Sequence, residues 1–363
     1  MSANAGDRPV VIFGGAGFIG SNLAHRLMQD GRRVLVFDSL ARPLVDRNLR
    51  WLKETHGERL EVMVADTRDA AAVKRAVGRA QVVFHFAAQV AVTTSLVDPL
   101  HDFEVNVRGT LHVLEAVRHA GRKIPVFFTS TNKVYGGLPD VALISDGDRY
   151  TPVDPVLRRH GVSESRPLDF ESPYGCSKGA ADQYVLDYAR TFGLPTCVFR
   201  MSCIYGPRQF GNEDQGWIAH FLIRALTGQR ITIFGDGRQV RDALYVGDLV
   251  EAFLAAERNL PRVRGQVFNV GGGPERSVSL REVLALIAEL VGRVPAIDEA
   301  DWRPGDQRYY VSDTRRLEAL TGWRPKVGVR AGIARLCEWL TGVVPADSAQ
   351  PAPVADAVPT VAG

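Results

Sequence analysis

The chain has 363 residues, 45% hydrophobic and 23% charged, and its 44 basic and 41 acidic side chains leave a formal charge of +3. It is long enough for one generous domain or two, and its scattered charges exclude a dedicated nucleic-acid or membrane surface while suiting a phosphorylated substrate. Cys176, Cys197, Cys203 and Cys337 show no paired spacing, the start MSANAGDRPV lacks the apolar core of a signal peptide, and no apolar run approaches bilayer length, so a reducing cytoplasm is expected.

Short β-branched runs, PVVIFG, RVLVFD, LEVMVAD, QVVFHFAA, PVFFTS and TCVFRMS, alternate with Ala- and Leu-rich helical segments such as SNLAHRLMQDG. Continuous apolar strands are buried on both faces, which requires a parallel sheet covered by crossover helices. The expected fold is therefore α/β, a Rossmann-type doubly wound parallel sheet. After Tyr205 the rhythm loosens into GPRQFGNEDQGW, a helix near Ile218 to Thr227, and a hairpin-like ITIFGDGRQVRDALYV turning at Gly235 to Gly237. A strand from Gln266 to Val270, a helix from Leu280 and a last helix from Val329 to Leu340 follow. This order predicts a smaller interleaved α/β substrate-binding domain (201–235 and 269–343) over a dinucleotide-binding domain (8–200 and 236–268). Residues 1–7 and the Pro- and Ala-rich 344–363 are expected to be disordered.

Gly14, Gly17 and Gly20, with Phe18 and Ile19 between the last two, follow an apolar strand and open a helix. A glycine lets the backbone approach a pyrophosphate, and the helix N-terminus supplies free N–H groups and partial positive charge. Asp38 closes the second strand, placed to bind a ribose diol and repel a 2′-phosphate, so NAD is expected over NADP; Arg42 is read as a surface residue. Asp66 and Thr67, ending the third strand, either meet the adenine end of the dinucleotide or cap a helix. Ala87 and Ala88 let a cofactor pass the sheet edge. His85 reads as a satisfied core histidine, and the dispersed histidines suggest no metal.

Tyr174 and Lys178 stand four apart in SPYGCSKGAADQYVLDYAR, where Pro173 suits the first turn of a helix, so both lie on one helical face. A tyrosine with pKa about 10 is a poor base at neutral pH, and a cation one turn away would stabilise its phenolate. The bland alternative is a solvated lysine beside a packed tyrosine.

Taken together, GGAGFIGSN, NVRGTLHVLEA, STNKVYG, YGCSK, IYGPRQ, VRDALYVGDLV, FNVGGG and RPGDQR resemble the extended short-chain dehydrogenase/reductase family of sugar-nucleotide epimerases and dehydratases, over about residues 9–342. STNKVYG, SPYGCSKGAADQYVLDYAR, RQFGNEDQGW and the long segment from Gly137 to Phe170 resemble its CDP-sugar 2-epimerase branch. The resemblance implies NAD as cofactor, a nucleotide-sugar substrate with a CDP-sugar favoured, and a homo-oligomer. It makes Thr131 the catalytic Ser or Thr beside Tyr174 and Lys178, adds Asn106 to the cofactor contacts, and puts Arg241 and Arg303 on the substrate diphosphate. A guanidinium suits that task through paired hydrogen bonds. Asn132, Arg208, Gln209 and Gln215 join the substrate candidates. Cys203 stands where most of the family has a substrate-contacting Asn, leaving Ser202 and Cys203 as pocket candidates. Asn132 and Lys133 replace the acidic pair of the dehydratases, which disfavours dehydration. A UDP-hexose 4-epimerase, a 4,6-dehydratase and a non-catalytic dinucleotide-binding regulator stay as alternatives.

Overall fold

The computed structural model describes residues 8–303 and 305–343; the two tails expected to be disordered lie outside the described residues. Seven strands form one sheet in the order Gln266–Val270, Thr196–Met201, Val126–Thr131, Val82–His85, Val10–Phe13, Val34–Asp38 and Leu60–Val64. All pairs are parallel, with Val10 opposite Val34 on one side and Val82 on the other. The chain runs outward from Val10–Phe13 in one direction, then returns to fill the other. That reversal leaves a crevice at the carboxyl ends of the strands, where a doubly wound sheet receives its ligand.

Period-two alternation sorts the strand residues into two cores. Val10, Ile12, Val36, Phe84, Phe127 and Phe199 pack with Phe253 on one face, whereas Val11, Phe13, Leu35, Val83 and Val126 pack with Val73, Val77 and Val113 on the other. Leu60–Val64 departs from the expected burial on both faces: its first four residues are half-buried and Val64 is 61% exposed. It is an edge strand, so a single neighbour shields it.

The smaller assembly is built from Trp217–Thr227, Leu280–Val291 and Val329–Val343, whose Ile218, Phe221, Leu222, Ile287, Ile333 and Leu336 form a separate core. The expected hairpin is absent. Gly235 and Gly237 do turn the chain with φ of 78° and 74°, but Ile231–Phe234 pairs parallel with Ile297–Ala300. Val240–Tyr245 instead pairs with Ser277–Ser279, Tyr309–Tyr310 and Cys203–Tyr205. Trp302 lies against the Gly235 turn so closely that a Cβ there would stand 2.5 Å from its ring.

The long segment after Gly137 forms an antiparallel pair, Leu143–Asp146 with Arg149–Pro152, and a helix, Pro155–His160. It straps the assembly together: Tyr150 N donates to Arg238 O at 3.0 Å, and Glu164 Oε1 accepts from Asn269 N at 2.8 Å.

Candidate active site

The glycine turn is shaped by close backbone approach. Gly14 has φ of 78°, and a Cβ on it would lie 2.7 Å from Ala87 N; a Cβ on Gly20 would lie 2.2 Å from Gly14 O. Gly17 is the N-cap of helix Phe18–Gln29 and makes no side-chain capping bond, so the first helical N–H groups stay available to an anion. Gly20 and Ile19 act through packing, the first against Gly14 and Gly15, the second against the sheet core. Asp38 holds the turn from the next strand: Ala16 N donates to Oδ2 and Leu40 N to Oδ1, both at 2.9 Å. Burial pushes its carboxyl up while these N–H groups and Arg42 oppose the shift; Arg42 is exposed.

Asp66 is ion-paired with Arg68, whose Nη2 lies 2.8 Å from Oδ2. The helix-cap alternative fails, because Asp69 caps the next helix. Thr67 is buried and its carbonyl accepts from His112 Nδ1 at 2.9 Å. Ala87 and Ala88 lie just past the fourth strand, and the Ala87 backbone stands beside Gly14. Asn106, expected among the cofactor contacts, ties together the segment that follows the fourth strand and the helices around it. Its Oδ1 accepts from Gln89 N at 2.9 Å, while Nδ2 faces Gln89 O, Asp102 Oδ1 and Ser177 Oγ at 3.0–3.2 Å. His85 is 1% exposed and meets Thr110 Oγ1 at 3.1 Å; burial pulls its pKa down to about 3.

Thr131, Tyr174 and Lys178 come together at the carboxyl end of the fifth strand. The helix Ser172–Phe192 starts with Pro173 in its first turn and stops at Gly193, φ 68°. Ser95 Oγ accepts from Tyr174 N at 3.1 Å and anchors its start. Thr131 Oγ1 accepts from Lys133 N at 3.2 Å and donates to Asn132 Oδ1 at 3.3 Å; Asn132 Nδ2 donates to Gln307 Oε1 at 2.9 Å. Burial pushes the Tyr174 phenol up to about 12, and the hydrogen bond with Thr131 works against that rise.

Lys178 shares the helical face, with its ammonium turned toward the fifth strand. Its Nζ donates to Thr129 O at 2.7 Å and sits 4.3 Å above the Phe128 ring. Burial brings the ammonium down to about 8, with Asp182 and Asp102 resisting.

A cavity of about 290 Å³ adjoins this cluster. Asn132, Lys133, Cys203, Gln215, Arg241 and Arg303 line it. Arg241 Nη2 donates to Asp306 Oδ1 at 2.8 Å, and Lys133 Nζ lies 3.6 Å from the same oxygen. Arg303 Nη1 donates to Glu213 O at 3.1 Å, and its guanidinium lies 3.7 Å over Phe234. Two cations on one carboxylate, with a third beside them, make this wall suited to an anion.

Ser202, Arg208 and Gln209 do not reach the cavity. Ser202 Oγ donates a short bond to Asp242, on the opposite side from Cys203, whose Sγ accepts from Trp217 Nε1 at 3.3 Å. Arg208 is drawn away onto the Trp51 ring at 3.6 Å. Gln209 is buried, and its Nε2 donates to Ile204 O at 3.2 Å. Sequence reasoning missed Asp306 and the aromatic wall of Trp217, Phe221 and Phe234. The acid of RPGDQR, three residues after Arg303, was the available signal for the first; the aromatics are indistinguishable from core residues without the fold.

The profile described as the NAD dependent epimerase/dehydratase family matches residues 10–271. A CDP-paratose 2-epimerase from Salmonella typhi is 41% identical over 341 residues, covering 92% of this chain and 99% of that protein. A UDP-glucose 4-epimerase from Mycolicibacterium smegmatis is 35% identical over 91% of this chain and 97% of its own. Among solved structures, the Thermus thermophilus UDP-glucose 4-epimerase in complex with NAD aligns with a TM-score of 0.77 at 35% identity, over 93% of this chain and 100% of that one.

Proposed function

Because the chain belongs to the NAD dependent epimerase/dehydratase family, we propose that it is an isomerase that inverts C2 of a CDP-linked sugar, converting CDP-paratose to CDP-tyvelose. The observation that carries this reading is the 41% identity to a CDP-paratose 2-epimerase along nearly the full length of both chains. The cavity supports it, since Asn132 and Lys133 line the wall beside Thr131, where dehydration would need carboxylates.

The glycine turn fits a dinucleotide: Gly14, without a Cβ, lets the turn close tightly against the Ala87 backbone, and Gly17 leaves the helix N-terminus uncapped. Gly14, Gly17, Phe18 and Asp38 would hold it there. When bound there, NAD would supply the hydride acceptor and donor chemistry that inversion at C2 requires. Tyr174 takes the C2 hydroxyl proton and later gives it back, Thr131 positions that oxygen, and Lys178 contributes the fixed cation beside them. Arg241 and Arg303 exchange their carboxylate partners for diphosphate oxygens and keep the nucleotide anchored while the sugar turns. In this reading residues 8–200 and 236–268 bind NAD and residues 201–235 and 269–343 the sugar nucleotide. The setting is a reducing cytoplasm, consistent with four free cysteines. The chain acts as a homo-oligomer, supported by the exposed Leu96, Val97, Leu100 and Phe103.

The test is turnover of CDP-paratose in heavy water, with product analysed by mass and NMR. Direct return of the abstracted hydrogen gives inversion at C2 without solvent deuterium. Deuterium at C2, or inversion at C4, overturns the proposal.

A further inference from the structure

Asp102 is fully buried and, among the described residues, forms no ion pair. Its Oδ1 accepts from Gln89 Nε2 at 3.0 Å and from Asn106 Nδ2 at 3.2 Å, and its Oδ2 accepts a short hydrogen bond from Ser177 Oγ. Ser177 stands between Tyr174 and Lys178 on one helix, with its Oγ 3.2 Å from Tyr174 O. A carboxylate is thus tied, through one hydroxyl, to the helical turn that carries both reactive groups.

Burying such a charge without a cationic partner costs several kcal/mol. The hydrogen bonds alone do not call for it: an asparagine could accept from Gln89 and Asn106 through its oxygen and donate to Ser177 Oγ, whose own proton would turn to the Tyr174 carbonyl. We propose that Asp102 is a positioning residue for the proton transfer assigned above to Tyr174: its carboxylate, held by Gln89, Asn106 and Ser177, supplies the negative charge that holds the Lys178 ammonium in place beside the Tyr174 oxygen. This rests on that reading of Tyr174.

The surrounding charges single it out. Burial brings Lys178 down to about 8, opposed by Asp182 first and Asp102 second. Asp182, however, is bound by Arg200 through Nε at 2.8 Å and Nη2 at 3.0 Å, which offsets its charge. His85 faces Lys178 from the sheet but is neutral, its pKa near 3. His101, next in the chain, acts on Asp102 from the same helix and is itself in contact with Arg68 at 3.5 Å. At Tyr174, Asp102 adds to the upward push of burial. Burial pushes the Asp102 carboxyl up as well, and Ser177, then Lys178, pull it back.

The experiment is Asp102→Asn in the full-length NAD-loaded protein, with isotope-labelled tyrosine followed by NMR as pH is varied. The Tyr174 resonance is identified by its loss in Tyr174→Phe. We expect the phenol titration and the alkaline limb of the turnover profile both to move toward lower pH by about one unit, with thermal stability and KM little changed. Titrations that stay in place, or a turnover loss equal at every pH, overturn the proposal and leave Asp102 a packing tie. If Asp102→Asn does not fold, the labelled Asp102 carboxyl of the wild-type protein decides: an ionised carboxylate at neutral pH supports the proposal, and a protonated one overturns it. The phenol titration needs no sugar nucleotide, so it stands apart from the identity of the inverted carbon. Failure of the Tyr174 reading itself would show as undiminished turnover in Tyr174→Phe.

Discussion

Replacing Gly20 by alanine separates the packing role of the glycine turn from its binding role. The added Cβ would stand 2.2 Å from Gly14 O and 2.7 Å from Gly15 Cα, both backbone atoms that no rotamer change can move. Overpacking of this kind costs about 1–3 kcal/mol, and the absence of any yielding side chain argues for the upper end. At roughly 2 °C per kcal/mol for a chain of this size, the melting temperature should fall by about 6 °C. Gly17→Ala is the comparison: its Cβ would meet only Gly14 O, at 3.2 Å, in a backbone conformation, φ −66°, that alanine adopts freely. That variant should melt within about 1 °C of wild type when both are stripped of dinucleotide, yet retain little NAD on purification, because the methyl group occupies the approach to the helix N-terminus. Calorimetry of the stripped proteins and quantification of the dinucleotide released on denaturation give both readouts. An unchanged melting temperature for Gly20→Ala, or undiminished NAD in Gly17→Ala, would refute the division of roles.

Tyr174→Phe should preserve folding and NAD content but lose at least about a hundredfold in turnover, the usual contribution of a positioned acid or base; turnover near wild type would mean that the proton moves through another group. The released dinucleotide should be NAD rather than NADP, since a carboxylate at Asp38, closing the second strand, would repel a 2′-phosphate; predominant NADP would contradict this. Asp182→Asn breaks an ion pair whose side chains are 0% and 4% exposed, and leaving Arg200 unpaired should cost about 3–5 kcal/mol in denaturant unfolding. His85 is held near 3 against an ordinary 6.5, so between those values the unfolded chain binds more protons than the folded one. Stability is then complete above 6.5 and declines as pH falls toward 3, by up to about 1.4 kcal/mol per pH unit. His220, lowered to about 4, titrates in the same window, so His85→Gln should flatten the decline without abolishing it, as thermal melts across pH would record.

The sequence by itself determined those features whose physics is local. Apolar runs at strand length, the glycines between a strand and a helix, Asp38 at the end of the second strand and the four-residue spacing of Tyr174 and Lys178 depend on neighbours within a few residues, and each lies in the expected element. The strands of ITIFGDGRQVRDALYV have an equally local signal, yet they part company. Ile231–Phe234 and Val240–Tyr245 each pair with distant segments, and Trp302 stands against the turn between them. Only the tertiary structure decided which polar residues face the cavity. Cys203 points in and its neighbour Ser202 points out to Asp242, while Arg208 leaves for Trp51. The same holds for charge. Nothing in the spacing of Tyr174 and Lys178 says that the ammonium turns to Thr129 O, that Asp306 bridges Arg241 and Lys133, or that Asp102, from a helix some seventy residues earlier, is buried beside them. Side-chain direction, burial and the electrostatic field are sums over segments distant in sequence, and they come into being only when the sheet and its crossovers close.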